Sequence, residues 1–305
     1  MKLKFYTLDV FTETRFAGNP LGVVLNADGL PTGLMQSIAR ELGLSETVFV
    51  QKATNPTASA RIRIFTPAIE LPFAGHPTIG TGILLAQLRA GDTASGDQDA
   101  LVVLEETIGM VRVGVRMRPG KAAHAEFDAP KLPEPAGEAP STERLAAALG
   151  LMPSEIGYAN HRPTQWSAGV PFTFVPIASM AAIARAEITS PHWAAAFGSS
   201  RSGKVYLYTH ETAHTTSSFR ARMFSPAAGI AEDPATGGAA VAFAGVINAF
   251  DQPPTGTHKR NIEQGFEMGR PSLIALSFEV AQRGKLETVR IGGSAVRVTE
   301  GEIEI

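Results

Sequence analysis

One stretch of the chain occurs twice, and that repetition limits the fold more than any other feature. Arg63–Gly82 reads RIFTPAIELPFAGHPTIGTG, and Arg222–Ala239 reads RMFSPAAGIAEDPATGGA. Each copy has an aromatic–hydroxyl–proline tripeptide, Phe65-Thr66-Pro67 or Phe224-Ser225-Pro226. Each then has a Gly- or Pro-bearing loop, a polar residue before proline (His76-Pro77, Asp233-Pro234) and a run of small residues leading into an apolar stretch. Matched through those prolines, the copies differ in loop length. A period this long is not a solenoid repeat; it predicts a duplicated domain.

A polar residue followed by proline and a helix-capable run reads as a helix start, with the polar residue at N-cap and proline at N1. The expected helices are 77–89 and 234–249. Both are apolar nearly all round, which predicts burial rather than a two-faced surface helix. Gly80, Gly82, Gly237 and Gly238 fall in their first turns, where glycine costs helix stability and is tolerated if backbone or ligand approaches closely. A helix start with bare N–H groups is an anion site, so two facing starts suit a small carboxylate.

At 305 residues the chain is long enough for two cores. With 44% hydrophobic and 18% charged residues it reads as an ordinary globular protein. Lys plus Arg (27) nearly balances Asp plus Glu (29), which argues against nucleic acid and anionic membranes as partners. The chain has no cysteine, so disulfides, thiolate metal sites and any cysteine acid/base are excluded. The opening MKLKFYTLDVFT reads as a strand rather than a signal peptide, and no apolar run approaches a membrane span. A cytoplasmic location is the expectation.

In chain order, strands are expected from Lys4, at 21–25, 48–51, 61–65, 100–105 and 109–117. A helix over 32–42 is closed by Gly43 as a C′ residue. Residues 91–100 and 119–140 read as polar or proline-rich surface connections. Further strands are expected at 170–176, 205–209, 273–280, 289–291 and 295–299. Strand-rich halves, each with one apolar helix, predict an α+β fold of two pseudo-symmetric domains, each a barrel-like mixed sheet wrapped around its helix. The domains are drawn as 1–118 and 119–286, with strands from 287–305 returning to the first.

The sequence resembles the phenazine-biosynthesis isomerase-like (PhzF) family, whose fold is shared with diaminopimelate epimerase and proline racemase. The likeness rests on Asp9-Val10-Phe11-Thr12, Phe16-x-Gly18-Asn19-Pro20, Leu44-Ser45-Glu46-Thr47, Glu70-Leu71-Pro72-Phe73-Ala74-Gly75-His76-Pro77-Thr78, Glu232-Asp233-Pro234-Ala235-Thr236-Gly237 and Gly269-Arg270-Pro271-Ser272. It implies cofactor-independent isomerisation by proton transfer in a cleft between two domains, with Glu46 as general acid/base. His76 and Asp233 would flank a small carboxylate-bearing substrate, and Gly75 and Gly237 would lend backbone contacts. A homodimer is admitted, and no cofactor or metal is called for. One departure is Gly238, where the family pattern often has serine; it bears on the substrate rather than on the fold.

Each residue also has a plainer reading. Glu46 alone is a solvated loop carboxylate, and Asp233 is explained as a helix cap. Glu70 and Glu232 read as scaffold carboxylates. Asn19-Pro20 reads as a turn. His210 and His214 have helical spacing but sit in a polar loop, which argues against a metal site. The rival to an isomerase is a carboxylate-binding protein that kept the cleft and lost catalysis.

Overall fold

The computed structural model describes residues 1–91, 96–198, 203–226 and 230–305, and the chain divides into two compact units. The first is Met1–Pro130 with Ile291–Ile305, and the second is Lys131–Arg290. Part of the expected 91–100 connection and the tip of the second special loop lie outside the described residues. The first unit contains β1 (Lys2–Val10), β2 (Asn19–Val24), α1 (Thr32–Leu42), β3 (Glu46–Gln51), β4 (Ala60–Phe65), β5 (Glu70–Leu71), α2 (Gly75–Ala90), β6 (Gln98–Glu106), β7 (Gly109–Met117) and β8 (Ala123–Asp128). The second contains β9 (Glu134–Pro135), α3 (Thr142–Ala148), β10 (Thr164–Ser167), β11 (Pro171–Pro176), α4 (Met180–Arg185), α5 (Ser190–Phe197), β12 (Val205–Thr209), β13 (Phe219–Ser225), β14 (Ile230–Asp233), α6 (Gly237–Asp251), β15 (Gly256–Gln264) and β16 (Ser272–Val280). The last strand, β17 (Leu286–Glu304), begins in the second unit and ends in the first.

In the first unit the strands close on themselves. β17 pairs with β1, β1 with β2, β2 with β3, β3 with β4, β4 with β6, β6 with β7, β7 with β8, and β8 with β17 again. Closure leaves the ring no free edge, and the apolar helix α2 packs against β1, β2, β3, β6, β7 and β8. Two helix glycines are explained by that fit. A Cβ at Gly80 would stand 2.5 Å from Leu21 Cδ2, and one at Gly82 would stand 2.8 Å from Val113 Cγ1. Strands, not a ligand, come close there. α1 lies outside this core with its end as expected: Gly43 is left-handed at φ 61° and its N–H donates to the Ala39 carbonyl.

The second unit repeats the order. β9 pairs with β10, β10 with β11, β11 runs parallel to β12, β12 pairs with β13, β13 runs parallel to β15, and β15 pairs with β16. α6 fills its core through Phe243, which meets Phe174, Tyr206, Tyr208 and Phe219.

Register fixes how the units correspond. Phe49 lies opposite Arg63 as Leu207 lies opposite Arg222, and Arg61 lies opposite Glu105 as Arg220 lies opposite Glu263. In each unit the arginine two residues before the phenylalanine pairs with a glutamate on the next short strand, Arg63 with Glu70 and Arg222 with Glu232. From that ion pair the two copies run without a gap. Glu70-Leu71-Pro72-Phe73-Ala74-Gly75-His76 corresponds to Glu232-Asp233-Pro234-Ala235-Thr236-Gly237-Gly238, and both helices begin at the glycine.

Three expectations are corrected. His76 and Asp233 are not equivalent and neither is an N-cap: His76 corresponds to Gly238, Asp233 corresponds to Leu71, and the N-caps are Ala74 and Thr236. The matching prolines misled because Pro77 sits inside the first turn of α2, where its missing N–H costs nothing, whereas Pro234 sits in the bend before α6. The 119–140 connection holds β8, whose Ala123, Ala125 and Phe127 are buried in alternation, so the first unit extends to Pro130. Asn19 opens β2 opposite Val10 rather than forming a turn.

Candidate active site

Glu46 is the first residue of β3, held by parallel pairing with Leu21 of β2. The strand therefore starts earlier than the sequence suggested, and the carboxylate sits on a rigid element, 9% exposed. His76, the second residue of α2, is 5% exposed, and its Nε2 lies 3.1 Å from Glu46 Oε2. Two residues thirty positions apart in sequence thus meet because β3 lines the barrel that α2 fills. Burial pulls the His76 imidazole down from 6.5 to about 3, so it is neutral at ordinary pH. A neighbouring carboxylate favours the imidazolium, but removing a charged ring from water weighs more here. The pair is therefore a carboxyl beside a neutral imidazole rather than a fixed salt bridge.

Gly75 is the first residue of α2 and is buried. No side chain caps α2 at Ala74, which is extended at φ −152°, and Pro77 has no N–H. No side chain caps α6 at Thr236 either, and Gly237 begins that helix. Neither helix start is closed by its N-cap side chain.

Asp233 closes β14 and is 8% exposed. Its Oδ2 accepts the Thr236 hydroxyl at 2.5 Å, and its backbone carbonyl accepts Gln264 Nε2 at 2.8 Å. The nearby Tyr206 hydroxyl is pushed well up, first by burial and then by the Asp233 charge. Asp233 is thus set in a polar network at the entrance to α6, while Gly238 stands one residue into the helix with nothing within 4 Å of an added Cβ. Glu46 and His76 belong to the first unit, and Asp233, Gly237 and Gly238 to the second.

Glu70 and Glu232 are ion-paired scaffold carboxylates, as read from sequence. The histidine pair singled out by spacing is not the one that the fold assembles. His214 edges onto the Phe266 ring, while His210 joins His161 and Asp251 in a cluster whose ligand atoms lie within 4.8 Å of one another. Both ring nitrogens of His161 are already engaged, Nδ1 with the Tyr208 hydroxyl at 3.0 Å and Nε2 with Asp251 at 2.7 Å.

Sequence reasoning missed Glu106. It ends β6, is 6% exposed, and its Oε1 meets the Thr78 hydroxyl at 2.8 Å, within the first turns of α2. Burial raises its carboxyl from 4.5 to about 8. The only signal available was the apolar run into Glu105-Glu106, which does not tell which glutamate turns inward.

The profile of the PhzC-PhzF family, phenazine biosynthesis-like protein, matches residues 8–301. The chain is 50% identical to an uncharacterised isomerase of Mesorhizobium japonicum, with both chains covered in full. It is 34% identical to the trans-2,3-dihydro-3-hydroxyanthranilate isomerase of Pseudomonas aeruginosa, with 98% of each chain covered. Among solved structures it superposes on a PhzF-family phenazine biosynthesis protein of Bacillus anthracis with a TM-score of 0.87, at 24% identity and full coverage of both chains. The fold also extends to a hydroxyproline epimerase of Agrobacterium vitis, with a TM-score of 0.64 at 12% identity, covering 99% of this chain and 92% of that one.

Proposed function

The chain belongs to the PhzC-PhzF family and is an isomerase, and from that premise we propose that Glu46 is its proton-transferring acid/base, acting on a small carboxylate-bearing substrate. The observation that carries the reading is the buried Glu46–His76 pair, with 3.1 Å between carboxyl oxygen and ring nitrogen. A carboxylate is the right strength to take a proton from a C–H made acidic by conjugation, and then to return it.

In the proposed step the Glu46 carboxylate takes the proton, and the C–H electrons enter the substrate's conjugated system. Glu46, once its acquired proton can exchange with solvent, delivers a proton to a second carbon as the double bond shifts. Atoms and charge balance within the substrate, and no oxidant, metal or organic cofactor is required. The neutral His76 ring donates or accepts a hydrogen bond at the reacting face. The N–H groups at the start of α2 orient the substrate and stabilise the charge that develops, and Asp233 keeps the substrate-binding role that the family motifs imply for it. One base that both removes and returns the proton is supported by the second unit, where the positions matching Glu46 and His76 hold Lys204 and Gly238, neither carboxyl nor imidazole.

The test follows deuterium from solvent into substrate, with trans-2,3-dihydro-3-hydroxyanthranilate, the substrate named for the Pseudomonas relatives, tried first among cyclic and acyclic amino and hydroxy acids. Glu46→Gln keeps size and hydrogen bonding but removes the proton acceptor, so turnover should fall by ~10² or more while binding persists. Deuterium incorporation at the wild-type rate in Glu46→Gln would place the base elsewhere.

A further inference from the structure

The start of each central helix is held by a buried polar side chain from the parallel strand beside it, and the two side chains differ in one atom's chemistry. In the second unit that side chain is Gln264. Its Nε2 donates to the Asp233 carbonyl at 2.8 Å and to Thr236 Oγ1 at 3.0 Å, and its Oε1 accepts the Thr236 N–H at 3.2 Å. In the first unit the position is Glu106. The match follows from register, because Arg61 opposite Glu105 corresponds to Arg220 opposite Glu263, and Glu106 and Gln264 are the next residues. The preceding glutamates also behave alike: Glu105 accepts the N–H groups of Thr54 and Asn55, and Glu263 those of Ala213 and His214.

The hydrogen count at Glu106 is informative. Thr78 Oγ1 lies 2.8 Å from the Ala74 carbonyl and 2.8 Å from Glu106 Oε1. A threonine hydroxyl has one proton to give. If Glu106 were ionised, one of these two contacts would set acceptor against acceptor. A protonated Glu106 resolves the conflict: it donates to Thr78, and Thr78 donates to Ala74. Glu106 Oε2, buried and without a hydrogen-bond partner among the described residues, is then a carbonyl oxygen rather than part of a desolvated anion.

We propose that Glu106 is a neutral carboxylic acid that holds the start of α2, and through it the His76 turn, as the amide of Gln264 holds the start of α6. It is a positioning residue, acting through Thr78 and the Ala74 carbonyl. Among the described residues no charged side chain offsets an anion there. From α2 it meets the Thr78 hydroxyl, and the neighbouring His76 is uncharged. Its register partner on β7 is Gly109, Glu105 is turned to Thr54 and Asn55, and Arg63 is taken by Glu70. The partial positive charge of the helix start favours the anion, but burial outweighs it and raises the acid to about 8.

The test uses the intact chain and Glu106→Gln, which replaces the acid by the amide that the second unit uses. The infrared spectrum of the wild type at pH 7 should carry the C=O stretch of a protonated carboxyl, absent from Glu106→Gln and lost from the wild type as pH passes about 8. Thermal unfolding gives an independent readout. A carboxyl raised in the folded state stabilises fully below its unfolded value of 4.5 and loses that contribution as pH climbs to about 8. The Tm of Glu106→Gln should therefore rise relative to wild type from about pH 4.5 to 8, and the gap should stay constant above. Absence of the infrared band, or a Glu106→Gln protein less stable than wild type at pH 9, would overturn the proposal. Neither readout depends on the reaction catalysed. With an accepted substrate, Glu106→Gln should keep the neutral-pH rate and extend the alkaline limb of the profile, whereas loss of rate at every pH would also count against it.

Discussion

The starts of α2 and α6 are built on one plan and equipped for different tasks. Each is reached through an arginine–glutamate ion pair, a Glu-x-Pro-x-x-Gly run and an N-cap without a side-chain cap. Around that shared frame the first unit carries Glu46, His76 and Glu106, where the second carries Lys204, Gly238 and Gln264. In the other direction Asp233 stands where the first unit has Leu71. Duplication kept what sets the backbone path and let the polar groups that face out from it diverge. The carboxyl and imidazole at these positions are present in the first unit and absent from the matching positions of the second.

The sharpest way to break this comparison is through the shared ion pair, because its two copies differ in burial. Arg222 and Glu232 side chains are 8% and 16% exposed, against 18% and 30% for Arg63 and Glu70. Arg222 also donates to the carbonyls of Ile183, Ala184 and Ala186. Arg222→Ala should cost about 3–5 kcal/mol, as when one partner of a buried pair is removed, and Arg63→Ala about 1 kcal/mol or somewhat more. Denaturant unfolding of both variants measures this; equal losses would mean that the two frames are not energetically distinct in the way their burial indicates.

His76 gives the next effect. Its imidazole takes up a proton near 6.5 when unfolded and near 3 when folded. Stability is fully present above the unfolded value and falls by roughly 1.4 kcal/mol per pH unit as pH drops through that window. His76→Gln should lack this part of the acid slope. Unfolding curves between pH 6.5 and 4 that remain parallel for the two proteins would show that His76 is not held neutral.

The smallest effects come from glycines. A Cβ at Gly245 would lie 2.4 Å from the Trp166 ring, while one at Gly238 meets nothing within 4 Å. Gly245→Ala should cost about 1–3 kcal/mol by overpacking. Gly238→Ala should be neutral or stabilise by up to ~1 kcal/mol, since alanine is the better helix former. Equal destabilisation by both would mean that the position opposite His76 in the duplicate is not open.

Much of this was legible in the residues. The repeated stretch announced a duplication, apolar runs marked the two central helices, Leu34, Ile38 and Gly43 bounded α1, and the family motifs identified Glu46, His76 and Asp233 as the residues to examine. The match between the two copies was misread because Pro77 and Pro234 follow polar residues at different points of the path, and a dipeptide carries no information about register. Strand pairing does, since it ties each residue to a partner far away in sequence. The same reason hid Glu106: Glu105 and Glu106 are alike in the sequence, and only the pleat of β6 decides that one reaches Thr54 and the other turns in to Thr78. The sequence by itself determined the elements, the duplication and the inventory of acids and bases, because those follow from local periodicity and residue type. Which of them meet, which lose their charge and which merely hold the frame was decided by tertiary structure, because burial and hydrogen-bond partners exist only once distant strands have closed around the helix.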